Sequence, residues 1–144
     1  MRIRLDKLDS TVVKSNETYD VIDNTNLNKL ITSKTILHSG KKTGGHFHKG
    51  QEEVYIFTQG WGRMVVGENK FEVQEDDVVL IPDGEYHQVW NNSQTKDLVF
   101  ICVFDGSRNH WDIKRVIGGR TVRVNYDTGY GVRMSLNLIR EEKG

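Results

Sequence analysis

Residues 40–60 read GKKTGGHFHKGQEEVYIFTQG and residues 82–91 read PDGEYHQVWN; together they carry three of the five histidines in the chain. His46 and His48 are two apart, so on an extended segment both project from one face while Phe47 projects from the other. Glu53 opens the next β-like run. Period two places Glu53, Tyr55 and Phe57 on one face of it and Val54 and Ile56 on the opposite one. Pro82-Asp83-Gly84 has the composition of a tight reversal, with proline setting φ and glycine supplying a positive φ. Such a turn brings His87 back across a sheet, with Val89 and Asn91 on its side. Two imidazoles on one face, near a carboxylate and a third imidazole, are a donor set that a borderline divalent metal takes.

Outward from these stretches the same texture continues. Runs rich in Val, Ile, Phe, Tyr and Thr recur at Leu30–Leu37, Arg63–Val66, Phe71–Val73, Val78–Ile81, Tyr86–Trp90, Leu98–Phe104, Thr121–Tyr126 and Val132–Ile139. Turn formers separate them: Asn26-Leu27-Asn28, Gly44-Gly45, Gly67-Glu68-Asn69, Asn91-Asn92-Ser93, Gly118-Gly119 and Asp127-Thr128-Gly129. No stretch holds a 3.6-residue period for three turns, and alanine, the best helix former, is absent. Many short strands at this spacing predict an all-β sandwich or barrel.

The 144 residues fit one domain, read as N-terminal strands over 1–37, a motif-bearing core over 40–104 and a C-terminal hairpin over 112–140. Twenty Lys and Arg cancel 20 Asp and Glu, which argues against nucleic acid or an anionic membrane as the partner. A mean hydropathy of −0.57 and no long apolar run predict no membrane span. The opening MRIRLDKLDS has no apolar stretch of a leader, and the single Cys102 cannot form an internal disulfide. The expected location is therefore the cytoplasm.

The spacing Gly40, His46, His48, Glu53, Gly60, followed by Pro82, Gly84, His87, Asn91, resembles the two signature motifs of the cupin superfamily. Asp76 stands where that pattern has a glycine, six residues before Pro82. The resemblance implies a double-stranded β-helix, a jelly-roll barrel with extra terminal strands and a metal inside one mouth. It implies His46, His48, Glu53 and His87 as ligands of one divalent ion: Mn, Fe, Ni, Co or Zn. Glu52 is the rival to Glu53, which keeps the six-residue gap to Gly60. Three histidines and one carboxylate leave open positions of the kind a catalytic metal uses.

The runs around His46, Tyr55 and Gly60-Trp61-Gly62, and the stretch from Asn91 through Phe104 to His110, resemble the archaeal cupin-type glucose-6-phosphate isomerases. That likeness implies Thr43 and Gly45 as substrate-binding residues, and Glu53, Tyr55 and His110 as catalytic candidates. Departures place the chain in a broader group of small mannose-6-phosphate-isomerase-like cupins. Its gap from His48 to Glu53 is two residues shorter, Asp112 replaces an aromatic residue and Phe104 replaces a tyrosine. The expected activity is aldose–ketose isomerisation of a sugar or sugar phosphate, with the metal as Lewis acid. The Gly44-Gly45 amides would cradle the phosphate beside Lys41 or Lys42. The alternatives are an Fe(II) dioxygenase with Phe57, Phe100, Cys102 and Phe104 lining an apolar pocket, and a non-catalytic small-ligand-binding barrel.

Other residues read as structural. His38 belongs at a surface or rim, Trp61 and Trp90 in packing, and Cys102 in the interior as a small hydrophobe. His110 and Trp111 could close the barrel mouth. Lys114, Arg115, Arg120, Arg123, Arg133 and Arg140 lie on a hairpin turning at Asp127-Thr128-Gly129, with Arg123, Thr121 and Asn125 on one face and Val122, Val124 and Tyr126 on the other. A half-apolar hairpin needs a cover, and the expectation is a homodimer made by exchange of terminal strands, Arg2–Leu5 included.

Overall fold

Twelve strands follow one another in the computed structural model, which describes residues 1–8, 11–47, 49–106, 113–117, 120–126 and 134–142. They are β1 (Thr11–Ser15), β2 (Tyr19–Asn24), β3 (Leu30–Leu37), β4 (Glu53–Gln59), β5 (Trp61–Val66), β6 (Asn69–Gln74), β7 (Val78–Ile81), β8 (His87–Asn91), β9 (Leu98–Asp105), β10 (Ile113–Ile117), β11 (Arg120–Tyr126) and β12 (Met134–Glu142). No helix long and apolar enough to cross a membrane occurs among the described residues.

Antiparallel pairing gives a six-stranded sheet in the order β1-β2-β3-β9-β4-β7 and a three-stranded sheet in the order β6-β5-β8. The chain crosses repeatedly from one sheet to the other, and their inner faces enclose one core. β10, β11 and β12 form a third sheet by themselves. The expected hairpin is therefore a three-stranded meander, and its expected turn at Asp127-Thr128-Gly129 lies outside the described residues.

Alternation sorts each strand into an inner and an outer face. Along β4, Glu53, Tyr55 and Phe57 are buried while Val54, Ile56 and Thr58 are only partly so. Register lines these up with inward residues of neighbouring strands. Ile31, Phe104, Glu53 and Ile81 form a row near one barrel mouth, and Ser33, Cys102, Tyr55 and Val79 form the next row down. Thr35, Phe100 and Phe57 form the row below that. From the facing sheet Met64, Val66, Val73 and Val89 close the core. Phe57, Phe100, Cys102 and Phe104 do face inward, and they belong to this packed cluster.

Two turns fix the frame. Gly60 joins β4 to β5 at φ +87°, and a Cβ there would stand 2.5 Å from the Asp97 carbonyl oxygen. Only glycine takes that path without displacing backbone. Asp76 sits at φ +76° in the β6–β7 turn, the conformation that a glycine would take freely. Its N–H donates to the Phe57 carbonyl at 2.8 Å, which holds the strained turn on β4.

The expected strand at Arg2–Leu5 is not formed. Arg4 pairs with Lys7 in a tight bend, closed by the Arg4 guanidinium on the Asp6 carboxylate at 2.9 Å. A local ion pair two residues apart favours a turn over an extended run there.

Candidate functional site

The two sheets bring their polar inward residues together at one mouth. Glu53 comes from the start of β4, and His87 from the start of β8, where it pairs with Val66 of β5. His46 sits on a separate strip of chain, joined to His87 by two backbone hydrogen bonds, His46 N–H to the His87 carbonyl at 3.1 Å and the reverse at 2.9 Å. These bonds extend the ladder, since Thr43 N–H donates to the Val89 carbonyl and Asn91 N–H to the Lys41 carbonyl. The strip therefore lies antiparallel to β8, which is how the first motif meets the second.

The imidazoles of His46 and His87 meet edge to face, centroids 4.1 Å apart and planes at 72°. His87 Nε2 lies 3.6 Å from Glu53 Oε2, and both side chains are almost wholly buried. Each ring is oriented by the same local device. His46 Nδ1 lies 2.9 Å from the Gly44 carbonyl oxygen, and His87 Nδ1 lies 2.9 Å from the Glu85 carbonyl oxygen, each acceptor two residues back. A carbonyl can only accept, so each Nδ1 carries a hydrogen, and in the neutral ring Nε2 then presents a lone pair. That tautomer, pinned from behind, is the form in which imidazole ligates a metal.

Of the two adjacent carboxylates, Glu53 is 2% exposed and turned inside, while Glu52 is exposed. His48 and His110 lie outside the described residues. Among the described residues, no group of three or more His, Cys, Asp or Glu side chains is arranged to hold a metal ion by itself.

Tyr55 floors the cluster. Its ring meets His87 edge to face at 5.6 Å and stacks on Phe100 at 5.0 Å. Tyr55 lies opposite Cys102 across the β4–β9 ladder. Burial, with the charges of Glu53 and Asp23, holds the Cys102 thiol well above its ordinary range.

Thr43 and Gly45 flank the site differently from one another. The Thr43 hydroxyl accepts from Val89 N–H at 3.0 Å and its carbonyl accepts from the Gln88 amide, so the residue ties the strip to β8. The Tyr86 phenol occupies the space that a side chain at Gly45 would need. Sequence reasoning misses Gln51, which is buried and donates Nε2–H to the Asp105 carbonyl at 2.9 Å. It also misses the Asp83 carboxylate, which accepts from Gly50 N–H at 2.6 Å and ties the loop before Glu53 to the Pro82-Asp83-Gly84 turn. Gly84 takes φ +78° in that turn, as its composition predicts. Beside Glu53 a cleft of about 500 Å³ opens between Leu30, Gln51 and the carboxylates of Glu52, Asp83 and Asp105.

Comparison with known proteins agrees with this architecture. The family model described as "Cupin domain" matches residues 34–104. An uncharacterised protein of Methanocaldococcus jannaschii is 31% identical over 72 residues, covering 50% of this chain; the match spans 58% of that relative's length. Among solved structures, a predicted oxalate decarboxylase from Thermotoga maritima superposes with a TM-score of 0.63 at 20% identity, over 73% of this chain and 98% of that one. The TT1209 protein of Thermus thermophilus gives 0.62 at 22% identity, over 73% and 97%. KdgF from Halomonas sp. gives 0.60 at 14% identity, over 69% and 91%. At these identities the structural likenesses speak for the fold alone. With His46, Glu53 and His87 gathered at one mouth of a two-sheet barrel and residues 34–104 matching the domain model, the chain is a member of the cupin superfamily.

Proposed function

We propose that this chain is a divalent-metal-dependent aldose–ketose isomerase acting on a small sugar. The observation that supports the reading is the buried meeting of Glu53, His87 and His46, with both Nδ1 atoms engaged on backbone carbonyls. His46, Glu53 and His87, with His48 as the fourth ligand, would hold a Mn, Fe, Ni, Co or Zn ion. Such an ion, when bound, supplies Lewis-acid polarisation of a carbonyl oxygen.

The chain's own residues supply the rest. Isomerisation moves a proton between two adjacent carbons, and Glu53 is, among the described residues, the buried carboxylate beside His87. A proton leaving the substrate would be taken on its oxygens and returned from there. Tyr55, buried and stacked on Phe100, gives the site an apolar floor. Low local polarity strengthens every charge interaction above it. Glu52, Asp83 and Asp105 line the cleft next to Glu53, and their charges favour a neutral ligand there over an anionic one.

The test is interconversion of aldose and ketose pairs by protein loaded separately with each of the five metals, followed by ¹H NMR. Glucose 6-phosphate and fructose 6-phosphate serve as the anionic comparison. The reading expects turnover of a neutral sugar, reduced at least 100-fold in Glu53→Gln. Absence of interconversion with every metal refutes it. A second reading, an Fe(II) dioxygenase using the same ligands, would be revealed by oxygen uptake of the iron-loaded protein.

A further inference from the structure

A second cleft, about 760 Å³, opens at the far end of β4 from Glu53. Strand rise of ~3.3 Å per residue separates the two ends of β4 by roughly 20 Å. The one aromatic among the described residues lining this cleft is Trp61, the first residue of β5, which is 50% exposed although Gly62 and Met64 after it are buried. An indole left half in water forfeits much of the benefit of burying it. Nothing in strand alternation demands a tryptophan at that outward position.

The walls of this cleft are held stiffly. On one side the Gly60 turn packs against Asp97 so closely that no Cβ fits. On the other, the β8–β9 loop is bound by its own side chains. Asn91 donates to the Leu37 and Lys96 carbonyls and accepts from Ser93 N–H, and the Ser93 hydroxyl oxygen accepts from the amides of Thr95 and Lys96. Ser93 also accepts from Gly40 N–H through its carbonyl. The cleft is therefore formed before any ligand arrives, which lowers the cost of binding.

Its chemistry is balanced. The amides of Gln59 and Gln74 and the hydroxyl of Thr95 can each donate and accept, while Glu75 and Lys96 cancel in charge. A flat aromatic face beside neutral two-way hydrogen-bonding groups suits a ring with an apolar C–H face and hydroxyls around its edge. We infer that this cleft binds a neutral saccharide through a stack on Trp61, at a site separate from the histidine cluster.

The experiment titrates the full chain, ¹⁵N-labelled, with maltotriose and cellotriose while the indole N–H signals of its three tryptophans are followed. The Trp61 signal is assigned by its loss in Trp61→Phe. The expected result is a saturable shift of that signal, with a dissociation constant on the order of millimolar for one stacking contact and a few exposed hydrogen bonds. Binding should weaken at least ten-fold in Trp61→Ala, several-fold in Gln74→Ala, and stay unchanged in His87→Ala, with thermal midpoints confirming that each variant folds. No saturable shift with either sugar overturns the inference. So does loss of the shift in His87→Ala, which would place the sugar at the histidine cluster. A fall in sedimentation mass on Trp61→Ala without any sugar response also overturns it, because the cleft would then be a contact between copies.

Discussion

Truncating Asn91 to alanine removes one side chain and leaves three backbone groups without their partner. Its Nδ2 donates to the Leu37 carbonyl at 3.0 Å and to the Lys96 carbonyl at 2.8 Å, while Oδ1 accepts from Ser93 N–H at 3.0 Å. The side chain is 3% exposed, so water cannot take over these bonds without opening the β8–β9 loop. Each buried backbone group left unsatisfied costs ~1–3 kcal/mol, and the low end applies to the carbonyls, which keep a second lone pair, and most of all to the half-buried one of Lys96. The expected loss for Asn91→Ala is therefore about 3 kcal/mol. For a chain of 144 residues that corresponds to a fall of roughly 10 °C in the thermal midpoint. Urea unfolding followed by tryptophan fluorescence measures it, with an unchanged m-value showing that stability alone has moved. Asn91→Asp adds a sharper check. It keeps the acceptor for Ser93 but sets carboxylate oxygen against two carbonyl oxygens, so at neutral pH it should be at least as damaging as alanine. A loss under ~1 kcal/mol for Asn91→Ala, or a neutral-pH Asp variant more stable than the Ala variant, would refute the reasoning.

Gly60→Ala should cost about 2–4 kcal/mol in the same assay, because it combines φ +87° with a Cβ 2.5 Å from the Asp97 carbonyl oxygen; a loss within ~0.5 kcal/mol would show that the turn yields freely. Asp76→Gly should raise stability by about 0.5–1 kcal/mol by relieving φ +76° at an exposed position, and a loss would mean that the aspartate contributes something its backbone does not. Cys102, buried beneath Glu53 and Tyr55, should resist iodoacetamide in the folded protein at pH 8 and react on unfolding, as mass spectrometry would register. Because burial raises its thiol pKa in the folded state, stability should be intact below about pH 8.5 and decline as pH rises beyond it, a decline that Cys102→Ser removes.

Where local pattern determines the outcome, the sequence is a sufficient guide. The strands Leu30–Leu37 and Val78–Ile81 begin and end where their β-branched runs do, and period two puts Glu53, Tyr55 and Phe57 inside. The pattern fails where polar residues do interior work. β2 contains Asp20, Asp23 and Asn24, which read as turn formers, yet Asp23 is buried opposite Ser33. A polar pair facing inward has no signature in alternation.

Contacts distant in sequence are hidden for a different reason. The imidazole of His38 lies between Asp97 at 3.3 Å and Asp20 at 3.5 Å, so the expected rim residue links β2 to the β8–β9 loop. Thr43 reads as a substrate-binding residue by resemblance; that its hydroxyl oxygen accepts from Val89 N–H and its carbonyl from the Gln88 amide depends on where the strip comes to lie. Trp61, expected in packing, stands half exposed because β5 turns it outward. The gathering of His46, Glu53 and His87 is legible, since the spacing from His46 to Glu53 and the turn before His87 bring those three residues to one mouth. What spacing does not carry is the pair of carbonyls, at Gly44 and Glu85, that sets the tautomer of each imidazole.

The most direct test of the account is the metal content of the purified protein, read by elemental mass spectrometry beside His87→Ala and Glu53→Gln variants shown to be folded. A histidine and carboxylate cluster built to ligate should carry about one equivalent of a divalent transition metal per chain, lost in His87→Ala and reduced in Glu53→Gln. No bound metal after incubation with Mn, Fe, Co, Ni and Zn, or full metal content retained in His87→Ala, would contradict it.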